Sequence, residues 1–358
     1  MKTTTKILLL IGSCIVATLL VLVLFRMSEN IIHYNNKFVR RFPPHTAQEE
    51  YQIDLKYNSF YFAGCSNGKV YLGNSTAPLL MTVVDTTTHK TTSYKIQLTP
   101  TNLPFKLPQI RVLGNVFFVF EGTIPYIFKG STTDWKAKIR LHSGYYFSHV
   151  VPIDSVNLAI RYITPKTGES LMGMVNLSDT TNTKYNPALL EKQFDGIFDT
   201  DGYLMVDNDL RQIVYNYRYR NQYWVADARL KLAARGNTID TVSKAHVKIV
   251  KVNSRKYRTF SEPPLVVNNN STADGGLLFV HSALPGVGES EDMWKRASII
   301  DVYDINDQSY QSSFPVFNIG RESMQAFLVS GNHLFALVHN KMVCYKLREH
   351  MTVNKKIK

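Results

Sequence analysis

Two aspartates followed by a glycine, Asp199-Thr-Asp201-Gly202, form the most metal-like pattern in the sequence. Ca²⁺ binds oxygen ligands, and calcium loops place alternating carboxylates ahead of a glycine at the bend. This segment lacks the third oxygen ligand of a full loop, and an Asp-Gly hairpin turn accounts for the same residues. Asp199 and Asp201 are therefore candidate Ca²⁺ ligands, with a structural turn as the other interpretation. No other cofactor is expected.

A second cluster, Arg235-Gly-Asn-Thr-Ile-Asp240, combines a guanidinium, a flexible glycine and short polar side chains. A guanidinium binds carboxylate or phosphate through paired hydrogen bonds, so Arg235, Asn237 and Asp240 are candidate ligand-binding residues in a loop. In the alternative interpretation, Asp240 pairs with Arg235 and Asn237 caps a turn of a structural loop. The sequence leaves both interpretations open.

Familiar catalytic patterns are missing from the sequence. His142 and His149 are not spaced i, i+4 with an accompanying Glu, as in the zinc peptidase motif. There is no Gly-x-Ser-x-Gly elbow, Walker loop or Gly-x-Gly-x-x-Gly fingerprint, and no Cys-x-x-Cys pair. No catalytic residue is therefore predicted, and a non-enzymatic role is favoured.

A segment long enough to cross a bilayer lies near the N-terminus. Ile7 to Phe25 is uncharged and lies between Lys6 and Arg26. As a helix it spans roughly 28 Å at 1.5 Å per residue. No small-x-small cleavage site precedes Arg26, which favours a retained signal anchor over a cleaved signal peptide. We predict a short cytoplasmic tail over residues 1–6, a single-pass transmembrane anchor over 7–25 and a body outside the cytoplasm, because so short a tail is easily retained.

The rest of the chain has the composition of a β protein. Pro43-Pro44 and the polar residues around them predict an extended stalk over residues 26–48. The body over 49–347 has short alternating runs between turn signals such as Ser66-Asn67-Gly68, and the chain is 12% aromatic and only 19% charged. Groups of four such runs are typical of propeller blades.

Six groups of strand-like runs predict an all-β fold, a six-bladed β-propeller preceded by one N-terminal transmembrane helix. The sixth group has three strands, and Tyr51–Leu55 can supply the fourth and close the ring. Cys65 and Cys344 then fall in neighbouring blades, where a disulfide or two buried thiols would fit, and thiols are favoured. Residues 186–193 are predicted as a short helical turn, and residues 230–275 as a long excursion with an Asn-rich loop.

The layout resembles the six-bladed propellers of the NHL-repeat and Tol-associated kind. A narrower resemblance is to an uncharacterised group of membrane-anchored bacterial propellers. It rests on four elements: Leu190-Glu-Lys-Gln193 with Asp195-Gly196, Asp199-Thr-Asp201-Gly202, Arg235-Gly-Asn-Thr-Ile-Asp240 and Ile299-Ile-Asp-Val-Tyr-Asp304. The likeness covers nearly the whole chain. It implies a bacterial cell-envelope setting and brings with it no catalytic residue and no substrate.

The formal charge of +13 is concentrated at the two ends of the chain. Residues 1–41 carry +5 and the basic tail 348–358 carries +3, which suits anionic lipid headgroups. The body has no dense basic run, so no nucleic-acid partner is expected. We expect a membrane-tethered binding or scaffolding propeller with an envelope protein, peptide or glycan partner on the face opposite the anchor. The alternative is a calcium-dependent hydrolase or lyase with its site at the channel mouth.

Overall fold

The N-terminal helix is longer than the uncharged segment. The computed structural model describes residues 3–33, 36–101, 103–252 and 257–348. Helix α1 spans Thr3–His33, and its segment Lys6–Phe25 is long and apolar enough to cross a membrane. The prediction that the extended stalk begins at residue 26 was wrong, because the first helix-breaking prolines come only at Pro43-Pro44. Of the predicted tails, residues 1–2 and 349–358 lie outside the described residues.

The body is built from antiparallel sheets, the blades, numbered in chain order. Blade 1 contains β2 (Phe60–Ser66), β3 (Lys69–Asn74), β4 (Leu80–Asp85) and β5 (Thr91–Lys95). Blade 2 contains β7 (Gln109–Leu113), β8 (Val116–Glu121), β9 (Tyr126–Ser131) and β10 (Lys136–His142). Blade 3 contains β11 (Tyr146–Pro152), β12 (Asn157–Ile163), β13 (Ser170–Asn176) and β14 (Asp179–Asn186). A short strand, β6 (Gln97–Thr99), adds to blade 2 parallel to β10.

The second half of the ring repeats this arrangement. Blade 4 contains β15 (Gly202–Asp207), β16 (Gln212–Tyr217), β17 (Gln222–Ala226) and β18 (Leu232–Asn237). Blade 5 contains β21 (Asn268–Asp274), β22 (Leu277–Ser282), β23 (Ala297–Asp304) and β24 (Tyr310–Phe317). Blade 6 contains β25 (Met324–Ser330), β26 (His333–Val338), β27 (Lys341–Leu347) and β1 (Ala47–Asp54). Between blades 4 and 5 lies a hairpin of β19 (Ile249–Val252) and β20 (Tyr257–Phe260). A short helix, α2 (Glu291–Arg296), precedes β23.

The first strand of each blade lies at the centre of the ring. These inner strands, β2, β7, β11, β15, β21 and β25, contact one another in that order, and β25 returns to β2. Because blades are related by rotation about the channel, the inner strands run in one direction. We call the face where they begin the upper face and the face where they end the lower face. The long connections at 187–201, 238–267 and 283–296 all lie on the upper face, and tight hairpins line the lower face.

Strand β1 closes the ring as predicted. It pairs antiparallel with β27, from Ala47 opposite Leu347 to Asp54 opposite Lys341. The outer strand of blade 6 therefore comes from the N-terminal end of the body, and its first three strands come from the C-terminal end. This closure leaves no open edge between the first and last blades.

Apolar clusters fill the six interfaces between neighbouring blades. Between blades 6 and 1, for example, Val70 and Leu72 pack against Phe335, Leu337 and Met342. Full burial of such a side chain stabilises the fold by about 1.5–3 kcal/mol. One cluster per interface confirms the six-bladed propeller.

Two strands of the ring lie where the sequence predicts loops. The Asn-rich segment Asn268–Asp274 is the inner strand of blade 5, and Leu232–Asn237 is the outer strand of blade 4. An inner strand borders the channel and an outer strand borders solvent, so neither needs a regular apolar alternation. Residues 186–193 form turns and no helix, because the Asn186 side chain accepts the Ala188 N–H at 3.0 Å and Leu189 is drawn into the core.

The chain between α1 and β1 is extended but bound to the ring. Phe38 packs on Val267 and Leu284 at the upper face. Arg40 is only 6% exposed, and it forms ion pairs with Asp301 at 2.7 Å and with Glu289 at 2.8 Å. The chain therefore reaches the ring at the upper face and crosses blade 5 before β1 begins at the lower face.

Candidate functional site

Asp199 holds its own loop together on the upper face. The loop 187–201 joins β14 to β15, and the Asp199 carboxylate is buried within it. This carboxylate accepts the backbone N–H groups of Gln193 at 2.5 Å, Phe194 at 2.8 Å and Gly196 at 2.7 Å. Burial opposes ionisation, but a hydrogen bond with the Asp195 side chain and then these backbone hydrogen bonds keep the pKa of Asp199 below its ordinary value.

Asp201 points toward a different partner. Its carboxylate pairs with the Arg161 guanidinium at 2.8 Å, and Arg161 also donates to the Ser170 hydroxyl at 2.9 Å. Arg161 lies on β12 of blade 3, so the pair joins blades 3 and 4. Both predicted calcium ligands thus have hydrogen-bond partners inside the protein, and Ca²⁺ binding at Asp199 and Asp201 stays a prediction.

Strand β18 ends at Asn237, so Arg235 and Asn237 lie on this strand and Asp240 lies beyond it. Arg235 donates to the Ala188 carbonyl at 2.8 Å and pairs with Glu191 at 3.2 Å, not with Asp240. Asn237 is exposed at the last position of the strand. The Asp240 carboxylate is buried beyond it and accepts the Thr238 hydroxyl at 2.5 Å. Burial raises the pKa of Asp240 to about 6.

The expected loop geometry of this cluster was therefore wrong. Arg235 and Asn237 belong to an outer strand, because Gly236 packs its backbone against the Tyr223 ring of the next strand. The pairing of Arg235 with Asp240 is also absent from the structure. Anion binding by Arg235, Asn237 and Asp240 stays a prediction.

A central cavity of about 490 Å³ lies inside the ring and has room for a ligand. All six inner strands line it. Its walls combine apolar and polar surface in similar shares, and the polar side chains include Gln109, Arg111, His149, Tyr203, Asn270 and Asp274. Clefts of this size with a few polar groups are typical binding sites for small molecules.

Arg111 is the cation that faces this cavity. It lies in the middle of β7, donates to the Ile110 carbonyl at 3.0 Å, and has its guanidinium 6.0 Å from the centre of the Tyr61 ring. Among the described residues, no carboxylate forms an ion pair with it. Burial lowers the pKa of Arg111, because removal from water disfavours the charged form. The cavity thus contains a positive charge that no protein carboxylate neutralises.

His149 lies on the neighbouring inner strand, β11. It sits at a β-bulge next to Phe147, opposite Arg161 in the register of β12. Burial, and then the positive charges of Arg161 and Arg111, lower the pKa of His149 to about 4. The imidazole is therefore neutral at pH 7 and can donate or accept a hydrogen bond in the cavity.

The lower end of the cavity is acidic. Asp274 ends β21 and accepts the Gly331 N–H at 2.8 Å. Burial, together with the nearby Asp207 and Asp209, raises the pKa of Asp274 to about 7. The Cys65 thiol lines the same end, and burial raises its pKa. The cavity is thus basic at the level of Arg111 and acidic at its lower mouth.

Sequence motifs did not reveal Arg111. It stands alone in the run Gln109-Ile-Arg-Val-Leu113, where Ile110 and Val112 are buried between blades and the alternate residues face the channel. The alternation of buried and channel-facing residues was the signal that could have identified Arg111. Because successive side chains of a strand point to opposite sides, a charged residue between two buried ones on an inner strand faces the channel. His149 was predicted to be a satisfied core or surface histidine, and its place in the cavity follows only from the ring.

Comparisons with known proteins were made at the level of sequence families, curated proteins and solved structures. No protein-family model matches the chain, and no curated protein matches it. Among solved structures, the chain is similar to a member of the DUF4221 family from Bacteroides vulgatus, with 12% identity, 88% of this chain and 98% of that chain covered, and a TM-score of 0.49. It is also similar to a calcium-binding regucalcin from Agrobacterium tumefaciens, with 13% identity, 87% and 96% covered, and a TM-score of 0.46.

Proposed function

We propose that this chain is a membrane-tethered binding propeller whose central cavity holds a small ligand through one carboxylate or phosphate group. The observation that carries the proposal is Arg111, a half-buried guanidinium that lines the cavity and forms no ion pair with a carboxylate of the described residues. An anionic ligand at Arg111 would pair with this charge and form charge-assisted hydrogen bonds.

The surroundings of Arg111 suit such a ligand. His149, which is neutral at pH 7, offers a hydrogen bond without adding charge. Asp274 at the lower mouth has a pKa of about 7, so it is partly protonated at pH 7 and opposes the entry of an anion less than an ordinary carboxylate does. A volume of about 490 Å³ limits the ligand to a small molecule or to the end of a larger peptide or glycan.

Burial without a carboxylate is not sufficient by itself to indicate a site. Arg220 is fully buried, yet its guanidinium stacks 3.7 Å from the centre of the Tyr217 ring and donates to the Glu191 carbonyl at 2.7 Å. It does not line the cavity. Arg111 differs because its guanidinium faces a space that a ligand can enter.

The tether is part of the same proposal. Helix α1 anchors the chain in a bacterial envelope membrane, with the propeller outside the cytoplasm. Residues 36–42 attach to the upper face, so the lower mouth of the channel faces away from the anchor. A ligand enters through that mouth.

The test is thermal unfolding of the full chain in detergent with a panel of acetate, succinate, citrate, inorganic phosphate and glucose 6-phosphate. A ligand at 100 times its Kd stabilises the folded state by about 2.7 kcal/mol, which raises Tm by several degrees. We expect the shift in the wild type and in Arg140→Met, an exposed arginine outside the cavity, but not in Arg111→Met. A shift that persists in Arg111→Met contradicts the proposal.

A further inference from the structure

Three metal-ligating side chains converge at the strand that closes the ring. Glu50 is on β1, His333 is the first residue of β26, and Cys344 is in the middle of β27. A Glu50 carboxylate oxygen lies 3.2 Å from His333 Nε2 and 4.0 Å from Cys344 Sγ, and the three ligand atoms all lie within 4.8 Å of one another. None of them belongs to the central cavity.

A β-bulge brings Glu50 to this position. The pairing of β1 with β27 shifts between Glu49 and Tyr51, so Glu50 is the extra residue and has no direct partner. A bulge re-aims the side chain of the extra residue. The carboxylate of Glu50 thereby joins two ligands that come from the C-terminal end of the body.

The donor set favours zinc. A thiolate, an imidazole and a carboxylate are the three zinc ligand types, and soft sulfur with imidazole selects Zn²⁺ over Ca²⁺ or Mg²⁺. Ligand atoms around a tetrahedral Zn²⁺ are about 3.3–3.8 Å apart, given bond lengths of about 2.0–2.3 Å. The present separations reach this range through small side-chain rotations. Glu50 is exposed and His333 is half-buried, which leaves a path for the ion, while Cys344 is fully buried.

We propose that Glu50, His333 and Cys344 form a Zn²⁺ site that fastens the closing strand β1 to blade 6, with water as the fourth ligand. Without metal, burial raises the pKa of the Cys344 thiol to about 11, so metal binding releases a proton from this thiol. The site joins the two ends of the body at one point.

The experiment measures metal binding to the full chain in detergent, after treatment with chelator and with a phosphine reductant present. We expect one Zn²⁺ per chain by titration calorimetry and elemental analysis. Co²⁺ in its place should show the near-ultraviolet band of a thiolate-to-cobalt charge transfer. The reductant also removes the competing disulfide between Cys65 and Cys344, both of which are free thiols in the structure.

Three variants test the ligands. Zinc affinity should fall at least 100-fold in Glu50→Gln, His333→Ala and Cys344→Ala, and the cobalt band should vanish in Cys344→Ala. The matched control is His339→Ala, an exposed histidine in the turn between β26 and β27, which should bind zinc as the wild type does. If Cys344→Ala does not fold, the other two variants, whose side chains are half-exposed, decide.

Two results would overturn the proposal. One is the absence of stoichiometric zinc binding to the reduced wild type. The other is zinc binding that is unchanged in both Glu50→Gln and His333→Ala, or that is lost only in a Cys65→Ser variant. Either result would show that Glu50, His333 and Cys344 do not form a zinc site.

Discussion

Arg40 and Arg111 are arginines in different surroundings: Arg40 is buried, whereas Arg111 is half-buried. The Arg40 guanidinium pairs with Asp301 and Glu289 and also donates to the Ser282 hydroxyl at 2.7 Å. It lies 4.8 Å from the centre of the Phe38 ring. Arg111 donates to one backbone carbonyl and faces the central cavity.

This difference separates a structural charge from a binding charge. The protein satisfies every donor direction of Arg40, so its contribution is to hold the N-terminal segment on blade 5. Among the described residues, no carboxylate pairs with Arg111. A cation that faces an open cavity is available to an anionic ligand, and that is the basis of the proposed function.

The largest loss of stability is expected on substitution of Arg40, whose charge is paired with carboxylates. Arg40→Met leaves the carboxylates of Asp301 and Glu289 buried without a cation, so we expect a loss of about 3–5 kcal/mol in the free energy of unfolding. Chemical denaturation of the full chain in detergent measures it. A loss below about 1 kcal/mol would show that the segment around Arg40 does not depend on this pair.

For Arg111, we expect substitution to raise the free energy of unfolding. Arg111→Met replaces a half-buried charge that has no carboxylate partner with a flexible apolar side chain, so the free energy of unfolding of the ligand-free protein should rise by up to about 1 kcal/mol. The same denaturation experiment, without added anions, tests it. A variant less stable than the wild type would mean that Arg111 already has a partner, and the comparison with Arg40 would fail.

Asp274 offers the acidic counterpart, a buried carboxylate without a cation. Its folded pKa of about 7 is above the ordinary value of about 3.9, so the folded state binds more protons between these limits. Stability should therefore rise as pH falls from 7 to 4, by at most about 1.4 kcal/mol per pH unit. In Asp274→Asn, this part of the pH dependence of stability should be absent. A variant with the same dependence of stability on pH as the wild type would contradict the role of Asp274.

The smallest effect is expected where water solvates both partners. Arg296 and Asp292 form an i, i+4 pair on α2 at 2.8 Å, and both side chains are largely exposed. Arg296→Met should change the free energy of unfolding by no more than about 0.5 kcal/mol. This variant is the control for the loss of an arginine, and a loss like that of Arg40→Met would show that burial is not the deciding factor.

Much of the ring was predictable from local pattern. The Asn67-Gly68 turn has positive φ at both residues, as a tight hairpin needs, and β2 and β3 flank it as predicted. The missing outer strand of blade 6 was also found correctly. The strands at Asn268–Asp274 and Leu232–Asn237 were missed, because each borders channel or solvent on one side and carries no strong apolar alternation.

The candidate site was much less predictable. The aspartates and the Arg235 cluster stood out because their residues are close in sequence, and the structure uses Asp199 and Arg235 within local loops and pairs. Arg111 and His149 lie on different blades and have no common motif. They share a site only because the ring places the first strand of every blade around one channel.

The sequence by itself determined the long apolar N-terminal helix, the all-β class and the closure of the ring, because these follow from apolar length, alternation and turn residues within short windows. Only the tertiary structure decided which charges are neutralised. Arg40 meets its carboxylates across more than two hundred residues, while Arg111 meets none. Ion pairs of this kind depend on distances between blades, and no local pattern in the chain encodes those distances.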